Sequence, residues 1–318
     1  MNKVDQPVVI IGMHRSGTSM ITRMLKDLGL FVGWDLQVNH EATFFVRRNE
    51  RILAACGGGW DHPTVVDKLL NHSELRKKVH DYLRDDLSSF HVFSYTGPKY
   101  YVKYGTVTKF NFPWGWKDPR NTFLLPIWLD IFPSAKIIHI FRNGIDVARS
   151  LAARDENRIG RVLNRGSFSM RQANLLKEKG FLRYILTRLY DANDRLDPLS
   201  KYNRLRLYSY MSMEAGFELW CDYVKKGFDC LENSRNEGIS IRYEDFLLQP
   251  TRYLRKLVEF CHLPPNEEKI DSVASTINPI RRYAFKNDNA SMNFYQTVKD
   301  NYWMDKLGYT LKRRKKSG

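Results

Sequence analysis

Near the start of the chain a short β-branched run, Val8–Ile11, ends at a glycine and opens into the loop Gly12-Met13-His14-Arg15-Ser16-Gly17-Thr18-Ser19. Four apolar residues closed by glycine read as a buried parallel strand. Beyond the loop, Met20, Ile21, Met24, Leu25 and Leu28 recur at helical spacing, and Gly29 supplies a C-cap. A strand, a glycine-bearing loop and a helix, in that order, aim backbone N–H groups at an anion, and the helix dipole adds to the attraction. Gly12 and Gly17 let the chain turn tightly and approach a phosphate.

The same alternation returns twice. Lys136–Phe141 is an apolar run that leads into Arg142-Asn143-Gly144 and a helical stretch near 145–153. Residues 239–243 form a third run, followed by Glu244-Asp245 and a helix through about 251–261. Strands alternating with helices predict an α/β fold: a central parallel sheet with helices on both faces. No Gly/Ser-rich or Pro-rich linker divides the 318 residues, so one domain spanning 1–318 is expected. A stretch at about 155–212 is basic and rich in Tyr and Arg, with helical patches and no strand pattern. It reads as a basic helical cap inserted over one end of the sheet.

The net charge of +16 calls for an anionic partner, whether nucleic acid, a membrane surface or acidic small molecules. Residues 154–206 hold thirteen Lys/Arg against six Asp/Glu, and 312–316 add a basic tail that reads as a solvated end. Interleaved Arg and Tyr at 183–210 would suit a nucleic-acid binder, but that reading explains the charge and nothing else. No nucleic-acid partner is therefore expected. Cys56, Cys221, Cys230 and Cys261 are scattered without metal-type or CxxC spacing, as expected of free thiols in a reducing compartment. The first residues run straight into the strand without a signal-peptide pattern, and the apolar runs are too short to span a bilayer. These features predict a cytoplasmic protein with no stable membrane insertion.

A triphosphate-binding loop would read GxxxxGK[ST]. Both glycines are correctly spaced here, but Thr18 stands where the lysine belongs and the cation has moved forward to Arg15. A P-loop kinase would also need a magnesium carboxylate after a later strand, where Lys136–Phe141 delivers Arg142 instead. Arg15-Ser16-Gly17-Thr18-Ser19 resembles the loop of bacterial-type sulfotransferases that use 3′-phosphoadenosine-5′-phosphosulfate (PAPS), a family with a P-loop-like fold. On this resemblance Ser16, Gly17, Thr18 and Ser19 cradle the 5′-phosphosulfate and Arg15 stabilises the bridging oxygen. A guanidinium is a good clamp and a poor proton donor, so charge stabilisation is expected of it. The family's second signature, an arginine after a strand and a serine eight residues on, is matched by Arg142 and Ser150, both implied to hold the 3′-phosphate.

Weaker matches follow the same resemblance. Trp116-Lys117-Asp118-Pro119-Arg120 is similar to a KDPR stretch near the reaction centre, which makes Lys117 a candidate contact to the sulfuryl group or acceptor. Arg281 and Arg282, with Lys286 nearby, fall where the family has a basic loop at the 3′-phosphate, although the usual glycine pattern is missing. Tyr243-Glu244-Asp245-Phe246 resembles a scaffold segment. Glu41-Ala42-Thr43-Phe44-Phe45 resembles the E-x-x-F-F pattern of glycan sulfotransferases, making Glu41 the candidate general base, with the two rings expected to dry its surroundings. His40 is the alternative base, and His139 reads as a core residue. The implied reaction is sulfuryl transfer from PAPS to a hydroxyl, with 3′,5′-bisphosphoadenosine as product and no metal. A carbohydrate acceptor is implied first and a small metabolite second; the basic cap would suit an anionic one. Trp34, Trp60, Tyr95, Tyr100, Tyr101 and Trp114 are candidate acceptor walls or core residues.

Overall fold

The computed structural model describes residues 6–163 and 212–311. Four parallel strands, β1 (Val8–Ile11), β2 (Gly115–Lys117), β3 (Lys136–Phe141) and β4 (Gly238–Arg242), form one sheet in the order β2-β1-β3-β4. The first strand is thus central, with Val9 opposite both Trp116 and Ile137. Because side chains alternate along a strand, β1 serves two cores. Val8 and Ile10 join Ile138, Ile140, Ile239 and Ile241 in one, and Val9 and Ile11 join Trp116 and Ile137 in the other.

The first core is mainly aliphatic. It is covered by α1 (Thr18–Asp27) and, near the C-terminus, by the α9 (Tyr243–Leu248), α10 (Pro250–Phe260) and α11 (Glu267–Ser275) helices. The second is dense in rings. Phe45 of α2 (Thr43–Ala55) stacks on Trp116 with centroids 4.0 Å apart, and Trp128 of α6 (Asn121–Ile131) meets Trp116 edge-on at 5.3 Å. Buried aromatic pairs add about 0.5–1.5 kcal/mol beyond their area burial. Around them lie α3 (Val66–Leu70), α4 (Ser73–Ser88), α5 (Phe93–Tyr104), α7 (Gly144–Leu163) and α8 (Met213–Asn233).

The expected strands and the helices after them are present, with α7 extending to Leu163 rather than ending near 153. The cap expected at about 155–212 lies, from 164 to 211, outside the described residues, as does the basic tail at 312–316. His139 is buried in β3, with its ring edge-on to Phe228 at 5.0 Å, and burial pushes its pKa down to about 3. Tyr95 and Trp114 are core residues, and Trp34, Tyr100 and Tyr101 pack among Phe93, Phe31 and Phe90.

Candidate active site

The loop after β1 is fixed by its contacts. A Cβ at Gly12 would run into the Ile140 carbonyl of β3, while the Gly12 N–H donates to Thr122 Oγ1 at 3.0 Å. Gly17 sits at φ 93° against the Tyr243 ring and forms the N-cap of α1, where no side chain caps the helix. Within the first turn the Met20 and Ile21 N–H groups bond back to the Gly17 carbonyl at 3.1 and 3.2 Å, which leaves the Thr18 and Ser19 amides to an approaching anion. Arg15 is in the left-handed region at φ 70°, a conformation that costs a non-glycine residue about 1–3 kcal/mol and persists where surrounding structure holds it.

A cavity of about 540 Å³ opens over this loop. Arg15, Gly17, Thr18 and Ser19 line it from the loop, His40 and Glu41 from the segment before α2, Arg142 and Ser150 from β3 and α7, and Arg281 from the short Pro279–Arg281 turn. The two spaced motifs touch directly: Arg15 Nε donates to Ser150 Oγ at 2.7 Å. Arg142 bridges the elements, donating to the Arg15 carbonyl at 3.3 Å and the Arg281 carbonyl at 3.0 Å, with its guanidinium 4.7 Å from the Tyr243 ring centre. Asp146 pairs with it at 3.4 Å. Burial and the neighbouring Arg154, Arg142 and Arg281 guanidiniums lower the Arg15 pKa from its ordinary value.

Three predicted residues stand elsewhere. Ser16 is buried beneath the loop, and its Oγ has no hydrogen-bond partner among the described residues. Lys117 is sealed behind the cavity wall, donating to Glu41 Oε1 at 2.7 Å and to Ser19 Oγ at 3.2 Å. Its pKa is lowered, chiefly by burial, against the opposing pull of Glu41. Arg282 is exposed and lies against Tyr283, outside the cavity lining.

Glu41 is 5% exposed, and its carboxylate pairs with the Lys117 ammonium. The two phenylalanines after it turn into the core instead, Phe45 against Trp116 and Phe44 under the Arg48 guanidinium at 3.7 Å. The carboxylate is held in place by hydrogen bonds of its own segment: the Gln37 N–H donates to the Glu41 carbonyl at 2.8 Å, and the Thr43 N–H to the Asp35 carbonyl at 3.0 Å. His40 sits at φ 58°, and burial with Lys26 and Arg23 nearby lowers its pKa. Glu244 is scaffold, as its segment implied, accepting from the Asn143 N–H and the Tyr309 hydroxyl, each at 2.9 Å.

Sequence reasoning passed over several residues. Arg120 lies behind Lys117, donating to Asp118 Oδ1 at 3.1 Å and Glu50 Oε1 at 2.7 Å, and Asn49 ties Asp118 to Trp128. Burial raises the Glu50 pKa. His14, Arg23 and Arg154 line the cavity as well. His14 was named only as a member of the loop, and Arg154 only as part of a basic stretch; the place of Arg154 one helical turn beyond Ser150 was the available signal. Among the described residues the lining thus carries five arginines and one carboxylate, Glu41, which is paired to Lys117.

Residues 7–199 match a family model described as the sulfotransferase family. That range covers well over half of the 318 residues. The chain belongs to the sulfotransferase family. Among solved structures, this sulfotransferase is similar to a sulfotransferase domain from the Curacin biosynthetic pathway, at 15% identity and a TM-score of 0.45, covering 92% of this chain and 97% of that one. It is also similar to the sulfotransferase domain of a Synechococcus olefin synthase, at 14% identity and a TM-score of 0.42 over 92% and 88% of the two chains. A sulfotransferase from Mycobacterium avium matches at 14% identity and a TM-score of 0.41 over 95% and 77%. No curated protein matches the chain. The family assignment rests on the family model. Among the described residues, no helix is long and apolar enough to cross a membrane.

Proposed function

We propose that this sulfotransferase moves the sulfuryl group of PAPS to a hydroxyl, on a carbohydrate acceptor in the first instance. The observation that carries the reading is the Arg15–Ser150 contact, which joins the two spaced motifs at one cavity lined by arginines. The donor set fits a nucleotide with several anionic groups. Arg142 Nε and Ser16 Oγ are buried without hydrogen-bond partners among the described residues, and the first turn of α1 is uncapped by any side chain. Buried polar atoms of that kind call for a ligand or water.

Bound there, PAPS supplies an activated sulfuryl group and leaves as 3′,5′-bisphosphoadenosine. In this reading Ser16, Gly17, Thr18 and Ser19 hold the 5′ end through the loop and helix amides, and Arg15 offsets charge developing on the leaving oxygen. Arg142 and Ser150 hold the 3′-phosphate, with Arg281 beside them. Glu41 accepts the acceptor's proton, and Lys117 positions both Glu41 and Ser19 by the two hydrogen bonds it donates. Arg282 is given no part in this reading, since it is not among the described residues that line the cavity. The carbohydrate acceptor is supported by the glutamate segment's resemblance; a small hydroxylated metabolite is the other acceptor class.

Calorimetric titration of the purified chain with 3′,5′-bisphosphoadenosine, and in parallel with ATP plus magnesium, tests the reading. Tight binding of the bisphosphate without metal, and weak binding of ATP, is the expected result. The opposite preference would overturn it.

A further inference from the structure

Two buried polar atoms on the cavity wall, His14 Nε2 and Arg154 Nη2, have no hydrogen-bond partner among the described residues. Both side chains lie against one indole. The His14 ring meets Trp60 edge-on with centroids 4.9 Å apart, and the Arg154 guanidinium lies 4.4 Å from the centre of the Trp60 ring. Trp60 is itself held, because the Tyr223 hydroxyl donates to its carbonyl at 2.8 Å while the Tyr223 ring backs His14 at 6.5 Å. Arg154 directs Nε to Asp155 at 3.2 Å, yet Nη2 on the same edge of the guanidinium stays without a partner among the described residues. An unpaired buried polar group costs about 1–3 kcal/mol, so two such groups set against one ring, on residues that line a cavity, point to a ligand that satisfies them.

The chemistry of that ligand follows from the groups that face it. A guanidinium has only donors, and a neutral imidazole offers one N–H. Burial, then Arg120, Arg154, Lys117 and Arg15, hold the His14 pKa well below its ordinary value, so the ring stands neutral in a positive field. The nearby carboxylates are already engaged, Glu41 with Lys117 and both Asp118 and Glu50 with Arg120. Such surroundings favour an anion, while Trp60 backs both side chains from behind.

We propose that His14, Arg154 and Trp60 form an acceptor-side subsite that holds a carboxylate or phosphate group on the molecule receiving the sulfuryl group. The subsite rests on the sulfotransferase reading of the cavity and narrows the acceptor to an anionic one, a uronic acid or a phosphorylated sugar.

The test uses the full chain saturated with 3′,5′-bisphosphoadenosine, titrated with D-glucuronate, D-glucose 6-phosphate and D-glucose. At least one charged sugar should bind about tenfold or more tighter than glucose, about 1.4 kcal/mol. Which of the two does so distinguishes carboxylate from phosphate. Arg154→Gln should abolish that preference and leave the bisphosphate Kd within about twofold. His14→Gln should weaken it several-fold, and in the unsubstituted chain the ring NMR signal that this variant lacks should titrate at higher pH once the charged sugar is bound. Equal affinity for all three sugars, or no detectable binding of either charged one, would sink the proposal. So would a loss of bisphosphate affinity in Arg154→Gln, which would assign that arginine to the nucleotide. Failure of the bisphosphate itself to bind would be seen before any sugar is added, and would remove the underlying reading instead.

Discussion

Two groups of cations meet at the cavity, and they are used differently. Lys117 and Arg120 lie behind its wall, with side chains 0% and 10% exposed, and spend their charge on Glu41, Asp118 and Glu50. Arg15 and Arg281 are exposed to the opening; Arg15 binds a serine hydroxyl, and both lend carbonyls to Arg142. A buried charge without a partner is costly, so the inner pair must be neutralised within the fold. The outer group keeps its charge for an incoming anion because solvent carries the cost until that anion arrives. The inner set positions and the outer set receives.

The largest expected effect tests the one carboxylate shared by both roles. Glu41→Gln should lower turnover by about 10²–10⁴, the usual contribution of a general base, and leave bisphosphate affinity unchanged in a calorimetric titration. Normal turnover would pass the proton to His40. Next, Lys117→Met strands the Glu41 carboxylate in the interior and should cost about 3–5 kcal/mol in denaturant unfolding. Arg281→Ala, at the exposed rim, should stay within about 0.5 kcal/mol in the same assay. Equal costs would erase the distinction between the two groups. Arg142→Ala removes charge-assisted bonds worth about 1.5–3 kcal/mol, so bisphosphate should bind roughly 10- to 100-fold more weakly. Arg15→Ala should act in the same direction.

A further effect concerns the sheet that carries the site. The folded protein refuses a proton at His139 until about pH 3, whereas the unfolded ring accepts one near 6.5. Between those values the unfolded state binds more protons, so stability falls as pH drops from about 6.5 toward about 3. His139→Asn should flatten that part of the stability–pH curve measured by thermal unfolding. An unchanged slope would show that other groups set the acid limit.

What the sequence made legible is local. β1 and its loop, and β3 with Arg142 and Ser150, are each coded within about a dozen consecutive residues by strand pattern, glycines and spacing. The pairings of the inner cations were not legible, because Lys117 finds Glu41 across 76 positions and Arg120 finds Glu50 across 70. Those pairings exist only once β2 docks beside β1, and β2 is three residues long, too short to announce itself by alternation. The rings after Glu41 misled for a related reason. In α2, Phe45, Asn49, Ile52 and Leu53 share one buried side, so helical period takes the aromatics to the core and the lysine to the carboxylate.

The order of the sheet makes any bound nucleotide a clasp between distant parts of the chain. The loop at 12–19 leaves the central strand, while Tyr243, which packs on Gly17, follows the edge strand β4 more than two hundred residues later. Anything held between them therefore registers whether the last third of the protein has closed onto the first. A fragment ending at 199, where the family match stops, would keep the anion loop and lose β4, Tyr243 and Arg281. Bisphosphate at 100 times its Kd should protect the full chain against unfolding by about 2.7 kcal/mol, and such a fragment by much less.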